Sequence, residues 1–301
     1  MAAGGHSRLT MKLLRIVTLW VMSLPLLAQP GGPDAALWDS LVKRYVNEEA
    51  RVDYGRWKRE GLAELDAFLS QVAAPWPAGM EASARKAALI TTYNALTVRW
   101  VLTHYPVQSI MKTPNPFRAA RQTVDGRRLS LDDVESQLRK MGDPRVHSVL
   151  VCAARSCPPL RREAYTAEQL EAQLDDNTRV WLANAKLNEF TPERNAASVS
   201  SIFKWYKGDF GSEQQLRAFL ARYSPEGRGE FLLQPKAKLT FKDYDWGLND
   251  ASSVGKGYTQ LRLYWDVVMH YPPAGVGVLA LLAVALGGVW WVWAARRTRA
   301  A

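Results

Sequence analysis

The 301-residue chain sets 39 Lys and Arg against 29 Asp and Glu, a formal charge of +10, and carries twelve Trp but only two Cys. Its length admits one large domain or two small ones, with ample apolar content for a core. Arg8, Lys12, Arg15, Arg296, Arg297 and Arg299 sit in two tails free of acid, and taking those six away leaves 33 basic against 29 acidic residues, or +4. No basic stripe interleaved with aromatics appears elsewhere, so the charge is assigned to membrane topology and nucleic acid is excluded as a partner.

Met11–Arg15 supplies a positive start, Ile16–Ala28 an apolar run, and Leu26-Leu27-Ala28 a cleavage site before Gln29. That pattern predicts a secretory signal over residues 1–28, with an uncleaved anchor as the alternative. Asp34–Val46 places Leu37, Leu41 and Tyr45 on one helical face, and Arg51–Tyr54 is extended. Leu62–Val72 predicts a short amphipathic helix before the breaker loop Ala74–Gly79.

Ser83–Tyr105 is the longest soluble helix, closed by Pro106. It is apolar enough to be buried on most sides, so Asn94 within it needs hydrogen-bond partners, as a structural tie or as the orienter of a catalytic group. Asp125-Gly126 between the arms of Gln122–Leu129 predicts a hairpin. Ser130 with Asp133 caps a helix to Met141, Arg145–Val151 follows as a strand, and Thr166 with Gln169 opens a helix to about Asn184. Ser198–Phe210 mixes strand and helix, Ser212 with Gln215 caps a helix through Tyr223, and Glu230–Trp246 returns to β character. The acidic clusters Asp132-Asp133-Glu135 and Asp175-Asp176 read as solvated faces. Pro272–Ala295 has no charge in 24 positions and is followed by Arg296, Arg297 and Arg299. The pattern predicts a membrane-crossing helix with a cytoplasmic C-terminus and the main domain outside.

Helices and strands interleave without a βαβ rhythm. The expected fold is therefore α+β, a mostly helical domain around a small mixed or antiparallel sheet, plus one C-terminal transmembrane helix. The expected divisions are a signal peptide at 1–28, a domain at 34–250, a linker at 251–271, the span at 272–295 and a basic tail at 296–301.

Seven blocks carry a family resemblance: Val52-Asp53-Tyr54, Tyr93–Thr97, Leu129–Glu135, Asp143–His147, Ser156-Cys157-Pro158, Ile202–Tyr206 and Tyr244–Asn249. In this order they resemble the domain of unknown function 547 family across roughly Leu37–Leu248. The resemblance implies an exported, membrane-anchored bacterial-type member and brings no activity with it.

The stretch Arg145–Leu160 holds His147, Cys152 and Cys157, and four readings of it stand open. Two cysteines with four residues between them, in an oxidising compartment, suit a disulfide. A thiol nucleophile is the second reading. Cys157 before Pro158 would sit at a helix start, with His147 as base and Asn94 orienting it, a Cys-His-Asn set of the papain kind. If Arg145–Val151 is a strand, His147 and Cys152 point to opposite faces, which leaves Cys157 as the nucleophile. A metal site lacks a full ligand set, and none is predicted; the last reading is a buried pair of inert thiols. No cofactor is expected. The functional expectation is an envelope domain that binds a peptide or envelope protein and is stapled by Cys152–Cys157. A thiol-dependent hydrolase or acyl transferase is the alternative.

Overall fold

A computed structural model describes residues 32–119 and 121–252. Asp34 caps α1 (Ala35–Tyr45) by accepting the Ala36 and Leu37 N–H groups, and Asp53 caps α2 (Tyr54–Glu60) through Arg56 N–H. Helix α3 (Leu62–Ala73) follows, and the three pack against α4 (Ala82–His104). Trp38 and Trp57 lie 6.0 Å apart between them, Trp38 and Phe68 5.7 Å apart, and Tyr45 stacks on Trp57 at 5.0 Å.

Helix α4 is the axis of the fold. Ten consecutive residues, Leu89–Val98, are buried, because neighbours cover it on every side. The hairpin predicted at Gln122–Leu129 forms from β1 (Gln122–Val124) and β2 (Arg127–Leu129), with Asp125 and Gly126 at positive φ as the turn requires. Helix α5 (Leu131–Arg139) packs on α4 behind a reciprocal capping box of Ser130 and Asp133.

The remaining elements are α6 (Leu170–Ala183), β3 (Glu189–Thr191), β4 (Ala196–Val199), α7 (Ile202–Trp205), α8 (Glu213–Tyr223) and β5 (Lys238–Phe241). Strand β4 pairs antiparallel with β3 and parallel with β5, Ala197 standing opposite Phe190 and Leu239. Trp181 stacks on Phe203 at 4.8 Å, and Phe203 meets Phe210 at 5.0 Å, which knits α6 to the α7 region. The chain then returns through residues 244–250 across the centre, bridging Leu248 to Ala154 and Asp250 to Val52.

The α+β class with a small mixed sheet is therefore what forms. The membrane-crossing helix written into that fold class is corrected: among the described residues no helix is long and apolar enough to cross a membrane. Helix α4 has the length but carries Arg85, Lys86, Asn94 and Arg99. The stretches expected as signal, span and tail lie outside the described residues.

A second correction bears on the site. Arg145–Val151 is no strand; Pro144–Ser148 is a 3₁₀ turn. Asp143 accepts the Arg145 N–H and Pro144 takes the first helical position, a start signal that outweighs the β preference of Val146, Val149 and Val151. The alternation of faces inferred for His147 and Cys152 therefore has no basis.

Candidate functional site

A pocket of about 260 Å³ opens where α4, α5, the 3₁₀ turn, α7 and the 244–246 segment meet. Helix α5 supplies Glu135. In the stripe Leu131–Val134–Leu138 it occupies a helix-interior position, which is why it is only 9 % exposed and not on the solvated face expected of its acidic cluster. Burial raises the Glu135 carboxyl above its ordinary range, against the opposing hydrogen bond from Tyr206 and the charge of Arg139. Asp132, one turn away, also lines the pocket and is raised by burial.

His147 lies against Tyr206, ring centres 4.2 Å apart, with Nε2 2.7 Å from Asp209 Oδ2. Arg139 grips the same carboxylate at 2.5 and 3.0 Å and lies 4.9 Å over the Tyr206 ring. The Asp209 carboxyl is lowered, first by Arg139, so it is ionised and can only accept; the His147 proton therefore sits on Nε2. Burial lowers His147 more than Asp209 raises it, which keeps the imidazole neutral near pH 7.

Trp205, Tyr244 and Trp246 form the opposite wall, with centres 4.7 to 5.9 Å apart. Trp205 is 42 % exposed at the pocket mouth. Beneath Tyr244 lies the disulfide. Cys152 and Cys157 are bonded with Cα atoms 6.2 Å apart, so the disulfide reading of the pair is the one the structure bears. Ala153 adopts φ 62°, and the N–H groups flanking it, from Cys152 and Ala154, both reach Cys157 Sγ at 3.1 and 3.3 Å. Tyr244 Oη is 3.1 Å from Cys152 Sγ and 3.3 Å from Cys157 Sγ. Burial drives its pKa upward, so it stays protonated as a donor.

The predicted Cys-His-Asn set does not converge. Asn94 spends both ends of its amide on backbone, donating to Val149 C=O and accepting Val151 N–H, each at 2.9 Å. It holds the floor of the loop rather than the imidazole; the partner of His147 is Asp209. Cys157 is buried under the turn, whereas Cys152 lines the pocket, which reverses the order of access expected from sequence. Sequence reasoning also missed Tyr206, Asp209 and Tyr244 as site residues. The available signal was Glu135, a carboxylate in phase with an apolar stripe.

Residues 77–182 match the family model described as Protein of unknown function, DUF547. The match supports the family resemblance and covers the Tyr93–Thr97, Leu129–Glu135, Asp143–His147 and Ser156–Pro158 blocks, which build α4, the floor of the pocket and the disulfide loop. The outer blocks lie beyond it. No curated protein and no solved structure matches the chain.

Proposed function

We propose that this is an extracytoplasmic binding domain, stapled by the Cys152–Cys157 disulfide, whose pocket captures one cationic side chain of a partner peptide or envelope protein. The observation carrying the reading is the lining of the pocket. Aromatic rings from Tyr93, Trp205, Tyr206, Tyr244 and Trp246 surround the carboxyls of Asp132 and Glu135, and no Lys or Arg is among the lining residues of this basic chain. Ring faces attract cations, most strongly where water is excluded. A buried carboxyl that burial makes reluctant to ionise regains that cost when a cation arrives beside it.

Size supports a side chain over a larger metabolite. The pocket, at about 260 Å³, lies below the roughly 300–1,000 Å³ of drug-sized ligand sites. A disulfide supports the oxidising compartment.

Tryptophan fluorescence titration of the full chain with N-acetyl-lysine methylamide and with its neutral isostere N-acetyl-norleucine methylamide tests the reading. The lysine probe is expected to bind at least about tenfold more tightly, a margin of roughly 1.4 kcal/mol, and Glu135→Gln to remove that preference. Equal or tighter binding of the norleucine probe would sink it.

A further inference from the structure

The two sulfurs of the disulfide are not equivalent, and the asymmetry has a chemical direction. Cys152 lines the pocket and is half-buried, while Cys157 is 5 % exposed and not among the lining residues. Only Cys157 Sγ collects the two backbone N–H groups around Ala153, a concave pair of donors suited to an anion. Tyr244 adds an O–H within reach of either sulfur.

The loop between them does not depend on the bond. Arg155 N–H donates to Gly247 C=O at 2.8 Å, Ser156 N–H to Asp245 C=O at 3.2 Å and Asn249 N–H to Ala153 C=O at 3.0 Å. Asn177 holds Ser148 C=O and Pro159 C=O, at 2.6 and 3.3 Å, on either side of it. A cleaved disulfide would leave the backbone of the loop in place, with the two sulfurs moving apart to non-bonded contact.

We propose that the Cys152–Cys157 bond is a thiol–disulfide exchange site for small thiols that enter the pocket, with Cys152 as the attacked sulfur and Cys157 as the leaving one. The incoming thiol gives its proton to solvent, and its thiolate attacks Cys152 Sγ. The Cys152–Cys157 bond breaks as the bond from Cys152 to the incoming sulfur forms. The electron pair leaves on Cys157, where the Cys152 and Ala154 N–H groups and the Tyr244 O–H stabilise the thiolate; a better-stabilised leaving thiolate departs faster. Cys157 then either returns to expel the bound thiol, or a second thiol attacks the mixed disulfide. The second course releases a free Cys152 thiol and the oxidised dimer of the small thiol, so the small thiol is the reductant. The substrate class, which rests on the acidic aromatic pocket proposed above, is a thiol bearing an ammonium group.

The chain has two cysteines, so the products map without ambiguity. The intact folded protein is treated with cysteamine, mercaptoethanol or 3-mercaptopropionate, quenched in acid, alkylated, and read by peptide mass. The expected result is a mixed disulfide on Cys152 and an alkyl group on Cys157, in a ratio of at least about ten to one, with near-ultraviolet circular dichroism of the folded protein retained. Adducts on Cys157, an even split, or reaction only after denaturant is added would overturn the proposal. Tyr244→Phe, which leaves the pocket wall in place, should slow the exchange severalfold. A second arm oxidises Cys157→Ser with cystamine and should trap the adduct on Cys152; the wild-type map decides the matter even if that variant does not fold. If cysteamine reacts at Cys152 no faster than 3-mercaptopropionate, the exchange stands and the cationic pocket reading fails instead.

Discussion

Asp143 sits between Lys86 and Arg145, with Arg145 Nη2 at 2.8 Å and Nε at 3.0 Å, all three side chains largely buried. Burial alone would raise its carboxyl, but the two cations outweigh burial and hold it down at about 2. A carboxyl depressed on folding stabilises the protein above its unfolded value near 3.8, and that stability is lost as pH falls towards the folded one. Asp143→Asn should therefore cost about 2 kcal/mol at pH 7 and almost nothing at pH 2, in urea unfolding curves taken at both. Glu135 has the opposite sign. Its carboxyl is raised by burial, so the folded state holds its proton longer than the unfolded chain and stability falls as pH rises past the ordinary Glu range. Glu135→Gln should accordingly raise the denaturation midpoint at pH 7.5 and leave it unchanged at pH 4, the mark of a residue kept for binding rather than for stability. A fall at pH 7.5 would mean that the carboxylate is structural. The Asp143–Arg145 pair, two residues apart, was legible in the sequence; Lys86 and the burial that sets the sign at Glu135 come from other elements and were not.

Among the elements, what showed in the sequence was what is encoded locally. Ser130 with Asp133 and Ser212 with Gln215 form the reciprocal caps that their spacing predicts, and Asp125-Gly126 makes its hairpin. Thr166 with Gln169 does not. Gln173 reaches back to accept Thr166 N–H and donate to Ala164 C=O, and α6 starts later, at Leu170. The short strand β3 and helix α2 were invisible, because each is too short to show a period; β3 takes its conformation from pairing with β4, and α2 packs on α4. Asn94 falls between the two cases. A buried polar group in an apolar helix announced a need for partners, but only the fold shows that they are the backbone of Val149 and Val151. Asn94→Ala would strand both backbone groups in the interior, at about 3 kcal/mol in all. The check is to compare denaturant unfolding with cysteamine exchange at Cys152. A large loss of stability with the exchange rate retained fits a tie; a lost exchange rate in a variant shown to be folded would restore Asn94 to the chemistry.

At the scale of the molecule, the disulfide loop is the point where the returning 244–250 segment meets the turn that follows α5. Two accounts of its covalent bond differ in what reduction should do. If the bond were the main fastening, breaking it would unfold the domain, as happens in small secreted folds with little core. This domain has a continuous core from Trp38 to Leu248, and the loop is already held by backbone bonds to residues 245–249. Closing so short a ring constrains the unfolded chain by only about 2 kcal/mol on the chain-entropy account. Reduction should thus lower the thermal midpoint by about 4–8 °C, at 2–4 °C per kcal/mol for a domain of this size, and leave cooperative unfolding intact. Scanning calorimetry with and without a phosphine reductant measures it directly. A loss of the cooperative transition would show that the staple holds the fold together, and the sulfurs would then not be free to exchange. A small shift with the transition preserved leaves a bond that the fold can open and close.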